Sequence, residues 1–393
     1  MSESHQDVLI VGASAAGLST AEALRRGGHR GRLTLLDAEE RAPYDRPPLS
    51  KQLLSGQWEP SKVALRTNEA LDALGAEWVL GERAEGLETA ARSVRTSSGR
   101  ILTADAIVVA TGVVPRRFPS SEGLEGAHVL RSLDDALHLQ GRLRPGNRLV
   151  VIGNGVLGSE IACTAVTLGV DVTLVGRAVA PMSGTLGGFA SYLLAAKHEA
   201  AGVRLLGESR VASVSRGWTA IHVLLDSGEV LPADDVVIAI GSDPATDWLD
   251  HSGLDLNDGI VCDAFCRAAS GIWAVGDVAR WEHPGLGSLR LENRTNAAEQ
   301  AIAVAADILG SGEPYSPIPY FWTDQFGVRI QVHGVIPANA RLRITDGDPS
   351  SGRFVAVALD AVDNRPVGVL GWAMPKQTRV RRAELESVMA PTP

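Results

Sequence analysis

The chain opens with the apolar run "DVLIVG" at 7–12, then "AAGLSTAEALRRGG" with apolar residues at helical spacing, then "RLTLLD" at 32–37. A short continuous apolar run bounded by glycine predicts a buried strand, and the 3.6-residue spacing behind it predicts a helix. Together they predict the βαβ start of a doubly wound parallel sheet. "AEWVLG" and "RSVRTSSGRILTAD" predict short strands and a hairpin with a Ser-Gly turn. "DAIVVATG" predicts another buried strand, closed by the boundary-like "VVPRRFP".

The same order returns from Arg148. "RLVVIG", "GVLGSEIACTAVTLG" and "VDVTLVG" predict strand, helix and strand; the helix "GFASYLLAAKHEAAG", the strand "VRLLG", a hairpin at "AIHVLLDSGEVL" and the strand "DDVVIAIG" follow. This is an internal duplication of architecture. After Gly241, "SGIWAVGDVAR" predicts a strand ending in Gly-Asp, and "RTNAAEQAIAVAADILG" a helix. From Pro319 the pattern becomes β-rich and closes with a helix at about 379–389. The expected fold is α/β, with two Rossmann-like dinucleotide-binding domains and a small C-terminal α+β domain. The expected boundaries are 1–113 with 243–319, then 114–242, then 320–393.

Composition narrows the function. At 393 residues the chain exceeds one compact core. No apolar run approaches the roughly 18 residues of a membrane helix, and "MSESHQDVLIVG" has no signal-peptide pattern, so no membrane is expected and the cytoplasm is the expected compartment. Cys163, Cys262 and Cys266 have neither CxxC nor zinc spacing, which argues against a disulfide framework and against a metal site. The net charge of −9 argues against general nucleic-acid binding. Residues 321–393 nevertheless carry nine Lys/Arg against seven Asp/Glu, with "KQTRVRRAE" the most basic stretch.

Two turns carry the chemistry. Gly153, Gly155 and Gly158 meet the G-x-G-x-x-G spacing between strand and helix, where backbone N–H groups and the helix dipole attract a pyrophosphate. Gly12, Ser14 and Gly17 repeat it with a serine in the middle, and Asp37, 20 residues after Gly17, stands where an acid binds a ribose hydroxyl. Two such turns, each framed by strand, helix and strand, predict two nucleotide sites.

With "VVATGVVP" at 108–115 and "IWAVGDVA" at 272–279 in the same order, almost the whole chain resembles the flavoprotein pyridine-nucleotide reductases with paired FAD and NAD(P) domains. The resemblance implies that FAD lies on Gly12, Ser14, Ala15, Ala16, Gly17, Asp37, Ala110, Thr111, Gly112, Gly276 and Asp277. It places the nicotinamide nucleotide on Gly153, Gly155, Val156, Leu157 and Gly158, with Gly241 also a cofactor-binding position. The FAD domain is then 1–113 with 243–319, and the NAD(P) domain 114–242.

"APYDRPPLSK" at 42–51 lacks the redox cysteine of the disulfide reductases. With "LRLENRTNAAEQA" and "PYFWTDQFG", it resembles the oxygenase-coupled ferredoxin reductases of the putidaredoxin reductase and biphenyl dioxygenase reductase type. That resemblance implies Arg46 and Lys51 near the flavin. Lys51 pairs with Glu160 close to hydride transfer, as the catalytic residues, and Trp322 lies in the flavin surroundings. Read alone, Lys51 and Glu160 are unrelated charges and Trp322 a core aromatic. Arg294 stands where some relatives carry a tryptophan. At the second site "VTLVGR" supplies Gly176 and Arg177 in place of an acid; arginine suits a 2′-phosphate, so NADPH and NADH both stay open, with a lean to NADPH.

The implied activity is an NAD(P)H:ferredoxin reductase. Hydride goes to FAD, and single electrons go on to an iron–sulfur ferredoxin serving a cytochrome P450 or a Rieske-type oxygenase. A diaphorase, quinone reductase or oxidase, and a non-enzymatic nucleotide-sensing flavoprotein, are the alternatives. Local charge predicts ferredoxin docking near Lys376, Arg379, Arg381 and Arg382, on a monomer or weak dimer.

Overall fold

Val8–Val11 (β1), Leu33–Asp37 (β2), Glu77–Leu80 (β3) and Ala106–Val109 (β4) pair in parallel in the computed structural model, which describes residues 6–337 and 339–389. Residues 1–5, 338 and 390–393, in the first and third expected domains, lie outside the described residues. Every residue of β1 and β4 is buried, the condition under which a strand reads as an unbroken apolar run. Strands Ile272–Ala274 and Arg267–Ala269 extend the sheet beyond β4. Helix α1 (Ala15–Arg26) packs against helix Arg294–Ile308. These elements belong to the first of two compact units: residues 1–45, 63–114 and 243–317.

The second unit comprises residues 46–62, 115–242 and 318–393. Its parallel sheet centres on Arg148–Ile152 (β5), flanked by Asp171–Val175 (β6) with Arg204–Leu206 (β7) on one side and Asp235–Ile238 (β8) on the other. Helix α2 (Val156–Thr167) follows β5, and α3 (Ser183–Ala200) follows β6. The C-terminal part is an antiparallel sheet of Tyr320–Gln325 (β9), Val328–Gly334 (β10), Arg341–Asp348 (β11), Arg353–Leu359 (β12) and Pro366–Trp372 (β13), in the order β9-β10-β13-β12-β11. Met182, Leu186, Ala190 and Leu194 of α3 and its cap share one core with Ile330, Phe354 and Trp372 of that sheet. Helix α4 (Pro375–Met389) lies on β13, where a Cβ on Gly371 would meet Thr378 Oγ1 at 1.9 Å.

The architecture is the expected α/β class. Three local differences have physical causes. Helix α4 starts at Pro375, not near 379, because proline suits a helix's first position, where its missing N–H is not needed. Helix α3 starts at Ser183, and Gly187 at φ 71° breaks its first turns from the rest. Residues 46–62, counted from sequence with the first domain, make their contacts in the second unit. There Thr164 Oγ1 donates to the Ser50 carbonyl at 2.7 Å and Gln140 Nε2 to the Leu53 carbonyl at 2.6 Å.

Candidate functional site

The first turn is built by backbone constraint. Gly12 holds φ 105° and passes so close to β4 that a Cβ would lie 2.3 Å from the Ala110 carbonyl oxygen. Gly17 packs α1 onto the turn, where a Cβ would meet the Gly12 carbonyl oxygen at 1.8 Å. Ser14 is the N-cap of α1 and its side chain makes no cap hydrogen bond, so the first N–H groups of the helix are left without a side-chain cap. Asp37 stands at the end of β2; its Oδ2 accepts the Ala13 N–H at 2.5 Å and its Oδ1 the Glu39 N–H at 2.9 Å. Gly276, at φ 74°, donates its N–H to Gln300 Oε1 at 2.7 Å, and a Cβ on it would lie 3.0 Å from Ala16 Cβ. Asp277 therefore sits beside the first turn of α1. Thr111 Oγ1 donates to the Ala245 carbonyl at 3.0 Å and anchors the Ala110–Gly112 corner. An uncapped helix start, a fixed carboxylate and a second Gly-Asp corner in one place fit a dinucleotide such as FAD.

The second turn repeats these relations. Gly153 holds φ 111° with a Cβ position 2.1 Å from the Ala239 carbonyl oxygen, and a Cβ on Gly158 would meet the Gly153 carbonyl oxygen at 1.8 Å. Gly155 is the N-cap of α2; a Cβ there would meet nothing within 4 Å, leaving room for a pyrophosphate to approach. Val156 and Leu157 open α2. Gly241, at φ 100°, follows β8 as Gly112 follows β4, and accepts the Arg116 N–H at 3.0 Å. Gly176 lies against Asn154, where any side chain would collide, and Arg177 beside it is exposed with no ion-pair partner among the described residues.

Lys51 and Glu160 come together inside the second unit. Lys51 Nζ is 2.7 Å from Glu160 Oε2, both side chains being about a tenth exposed or less, at 10% and 7%. Ser50 Oγ donates to the same oxygen at 2.6 Å, and Thr323 Oγ1 donates to Oε1 at 2.7 Å. Lys51 also donates to Ser50 Oγ at 3.2 Å, so two of its three donors have acceptors among the described residues. Its Nζ lies 5.5 Å from the centre of the Trp322 ring, which the Arg329 guanidinium meets at 4.7 Å. Ser50, Thr323 and Gln325 escape sequence reasoning as site residues, although the "FWTDQ" run contains two of them. Arg46 donates to the Arg131 carbonyl at 2.6 Å, and Arg294 pairs with Asp45 at 2.8 Å.

The three cysteines are buried. Burial pushes the Cys163 thiol up to about 11 and Cys266 up to about 12, and raises Cys262 as well. All three remain thiols at neutral pH, which removes the nucleophile that thiol–disulfide exchange requires.

Residues 6–301 match the profile of the pyridine nucleotide-disulphide oxidoreductases. The chain belongs to this family. It is accordingly an FAD-dependent oxidoreductase that uses a nicotinamide nucleotide. Residues 320–393 match the reductase C-terminal domain. The chain is 33% identical over 387 residues to the ferredoxin–NAD(+) reductase component of the p-cumate 2,3-dioxygenase system of Pseudomonas putida, covering 97% of this chain and 94% of that protein. It is 32% identical to rhodocoxin reductase of Rhodococcus erythropolis, covering 98% and 91%. The covalent putidaredoxin reductase–putidaredoxin complex contains a chain that superposes with a TM-score of 0.93 at 29% identity, over 98% of this chain and 94% of that one. Among the described residues no helix is long and apolar enough to cross a membrane.

Proposed function

We propose that this chain is an NAD(P)H:ferredoxin reductase, working in the cytoplasm and feeding a cytochrome P450 or a Rieske-type oxygenase. The reading rests on two matched nucleotide turns, one in each unit, in a chain whose cysteines are all buried thiols. FAD supplies the chemistry that turns one hydride into two single-electron deliveries. Residues 1–113 with 243–319 form its domain, apart from the segment 46–62 that packs in the second unit, with 114–242 the NAD(P) domain and 320–393 the third. Gly12, Ser14, Ala15, Ala16, Gly17, Asp37, Ala110, Thr111, Gly112, Gly276 and Asp277 hold the flavin nucleotide. Gly153, Gly155, Val156, Leu157, Gly158 and Gly241 receive the nicotinamide nucleotide, with Arg177 set to bind a 2′-phosphate. Arg46 and Trp322 are further cofactor contacts.

Lys51 and Glu160 are the catalytic pair. Glu160 accepts from Lys51 and holds its ammonium in one orientation, and a fixed cation of this kind would stabilise the negative charge a flavin gains on reduction. The relatives' names point to an iron–sulfur protein as the acceptor. An acidic ferredoxin docks on the basic α4 surface of a monomer or weak dimer. Arg381 is already paired with Asp346 and Glu384, and Arg382 with Glu386. Exposed Lys376 and Arg379, with no ion pair among the described residues, contribute most.

The test supplies FAD-loaded enzyme and NADH or NADPH with an iron–sulfur ferredoxin, a quinone or oxygen as acceptor. Turnover fastest with ferredoxin, and slowed by salt, is expected. Preference for the quinone or oxygen moves the chain to the diaphorase reading, and bound FAD without turnover to the sensor.

A further inference from the structure

Behind the Lys51–Glu160 pair runs a buried chain of side chains. Gln325 Nε2 lies 3.2 Å from Thr323 Oγ1, and Gln325 Oε1 lies 3.1 Å from His198 Nε2. Thr323, Gln325 and His198 are each at most 1% exposed. The direction of every bond follows from its end. The Glu160 carboxylate only accepts, so Thr323 must donate to it and can only accept from Gln325. The Gln325 amide then turns its NH2 to Thr323 and its oxygen to His198, so His198 carries its proton on Nε2. Burial keeps this imidazole neutral, pushing it down to about 4, and its Nδ1, the unprotonated nitrogen of that tautomer, has no partner among the described residues. Gln325 Nε2 also reaches Met182 Sδ at 3.3 Å, and Phe326 stands edge-on to His198 at 4.8 Å. The amide is thus held from both sides.

We propose that Thr323 and Gln325 are positioning residues for the Lys51–Glu160 pair. They pin Glu160 Oε1 so that Oε2 is presented to Lys51 and Ser50 in a single orientation. Without the Thr323 hydroxyl the carboxylate can turn about its last bond, and Lys51 loses its fixed place. Without the Gln325 donor, Thr323 can turn its own proton away from Glu160. The proposal rests on the catalytic reading of Lys51 given above, and its test has a readout that does not.

The chain has four lysines: Lys51, Lys62, Lys197 and Lys376. FAD-loaded enzyme labelled with 13C at lysine Cε therefore gives four signals, assigned with K62R, K197R and K376R. In T323V and Q325M the Lys51 signal should move or broaden while the other three stay, and in T323S it should keep its wild-type position. In the same variants kcat for flavin reduction by NAD(P)H should fall about tenfold with KM little changed, T323S restoring it, as expected when a catalytic group is misplaced without loss of binding. A Lys51 signal at its wild-type position in both T323V and Q325M would overturn the proposal. A displaced signal with unchanged kcat would support the positioning and overturn the catalytic role of the pair. If T323V does not fold, Q325M and T323S carry the comparison.

Discussion

Lys51 and Glu160, 109 residues apart in sequence, form a buried ion pair at 2.7 Å. Removing one partner of such a pair strands the other charge, which costs about 3–5 kcal/mol, whereas removing both is often nearly neutral. E160Q should therefore lower the stability of the FAD-loaded enzyme by about that amount, and K51M/E160L should recover more than half of it. Urea unfolding of both variants is the measurement. Equal stability of E160Q and wild type would contradict the pairing.

Gly155 and Gly158 of the second turn should fail in different ways. A methyl at Gly158 collides with the Gly153 carbonyl oxygen, so G158A should lose about 1–3 kcal/mol of stability. Gly155 has open space around its Cβ position and a negative φ, so G155A should fold as wild type. It should raise the KM for the nicotinamide nucleotide about tenfold by blocking close approach of the pyrophosphate. Thermal unfolding set beside steady-state kinetics separates the two effects.

Arg177 is exposed and unpaired among the described residues, as a phosphate-binding arginine should be before its ligand arrives. Hydrogen bonds to a charged group contribute about 1.5–3 kcal/mol, so R177Q should lower kcat/KM for NADPH roughly 10- to 100-fold and leave NADH nearly unchanged. A parallel loss with both nucleotides would mean that Arg177 does not read the 2′-phosphate.

Acid should destabilise the second unit before its carboxylates titrate. Burial holds His198 and His333 down to about 4, against about 6.5 in the unfolded chain. Between those values the unfolded state binds protons that the folded state refuses. The stabilisation is thus intact above pH 6.5, lost as pH falls towards 4, and flat for these groups below that. The loss is on the order of 3 kcal/mol per histidine. H198N should flatten the stability–pH curve in that window, while wild type should slope down to the acid side.

The parallel strands and both nucleotide turns are legible in sequence because their physics is local. A strand buried on both faces is an unbroken apolar run, as in Val8–Val11 and Ala106–Val109, and a turn that needs positive φ at Gly12 and Gly153 selects glycine. The start of α4 is not legible, since Pro375–Ser387 buries only Thr378 and Leu385 and so has no apolar stripe to mark it. Lys51 and Glu160 could be paired in advance only through resemblance to other reductases. Ser50, Thr323 and Gln325 are not legible, because hydroxyls that meet Glu160 across 110 and 163 residues, and an amide that meets His198 across 127, leave no periodic trace. His198 reads as part of a helix face and nothing more.

A nicotinamide nucleotide should reduce a flavin held by this chain. Anaerobic titration of the FAD-loaded protein with NADH and then NADPH, following the oxidised-flavin absorbance at about 450 nm, is the measurement. Bleaching by at least one donor at one equivalent per flavin, with the faster donor reporting on Arg177, is the predicted result. A yellow protein that neither nucleotide bleaches, or a colourless one that cannot be loaded with FAD, would contradict it.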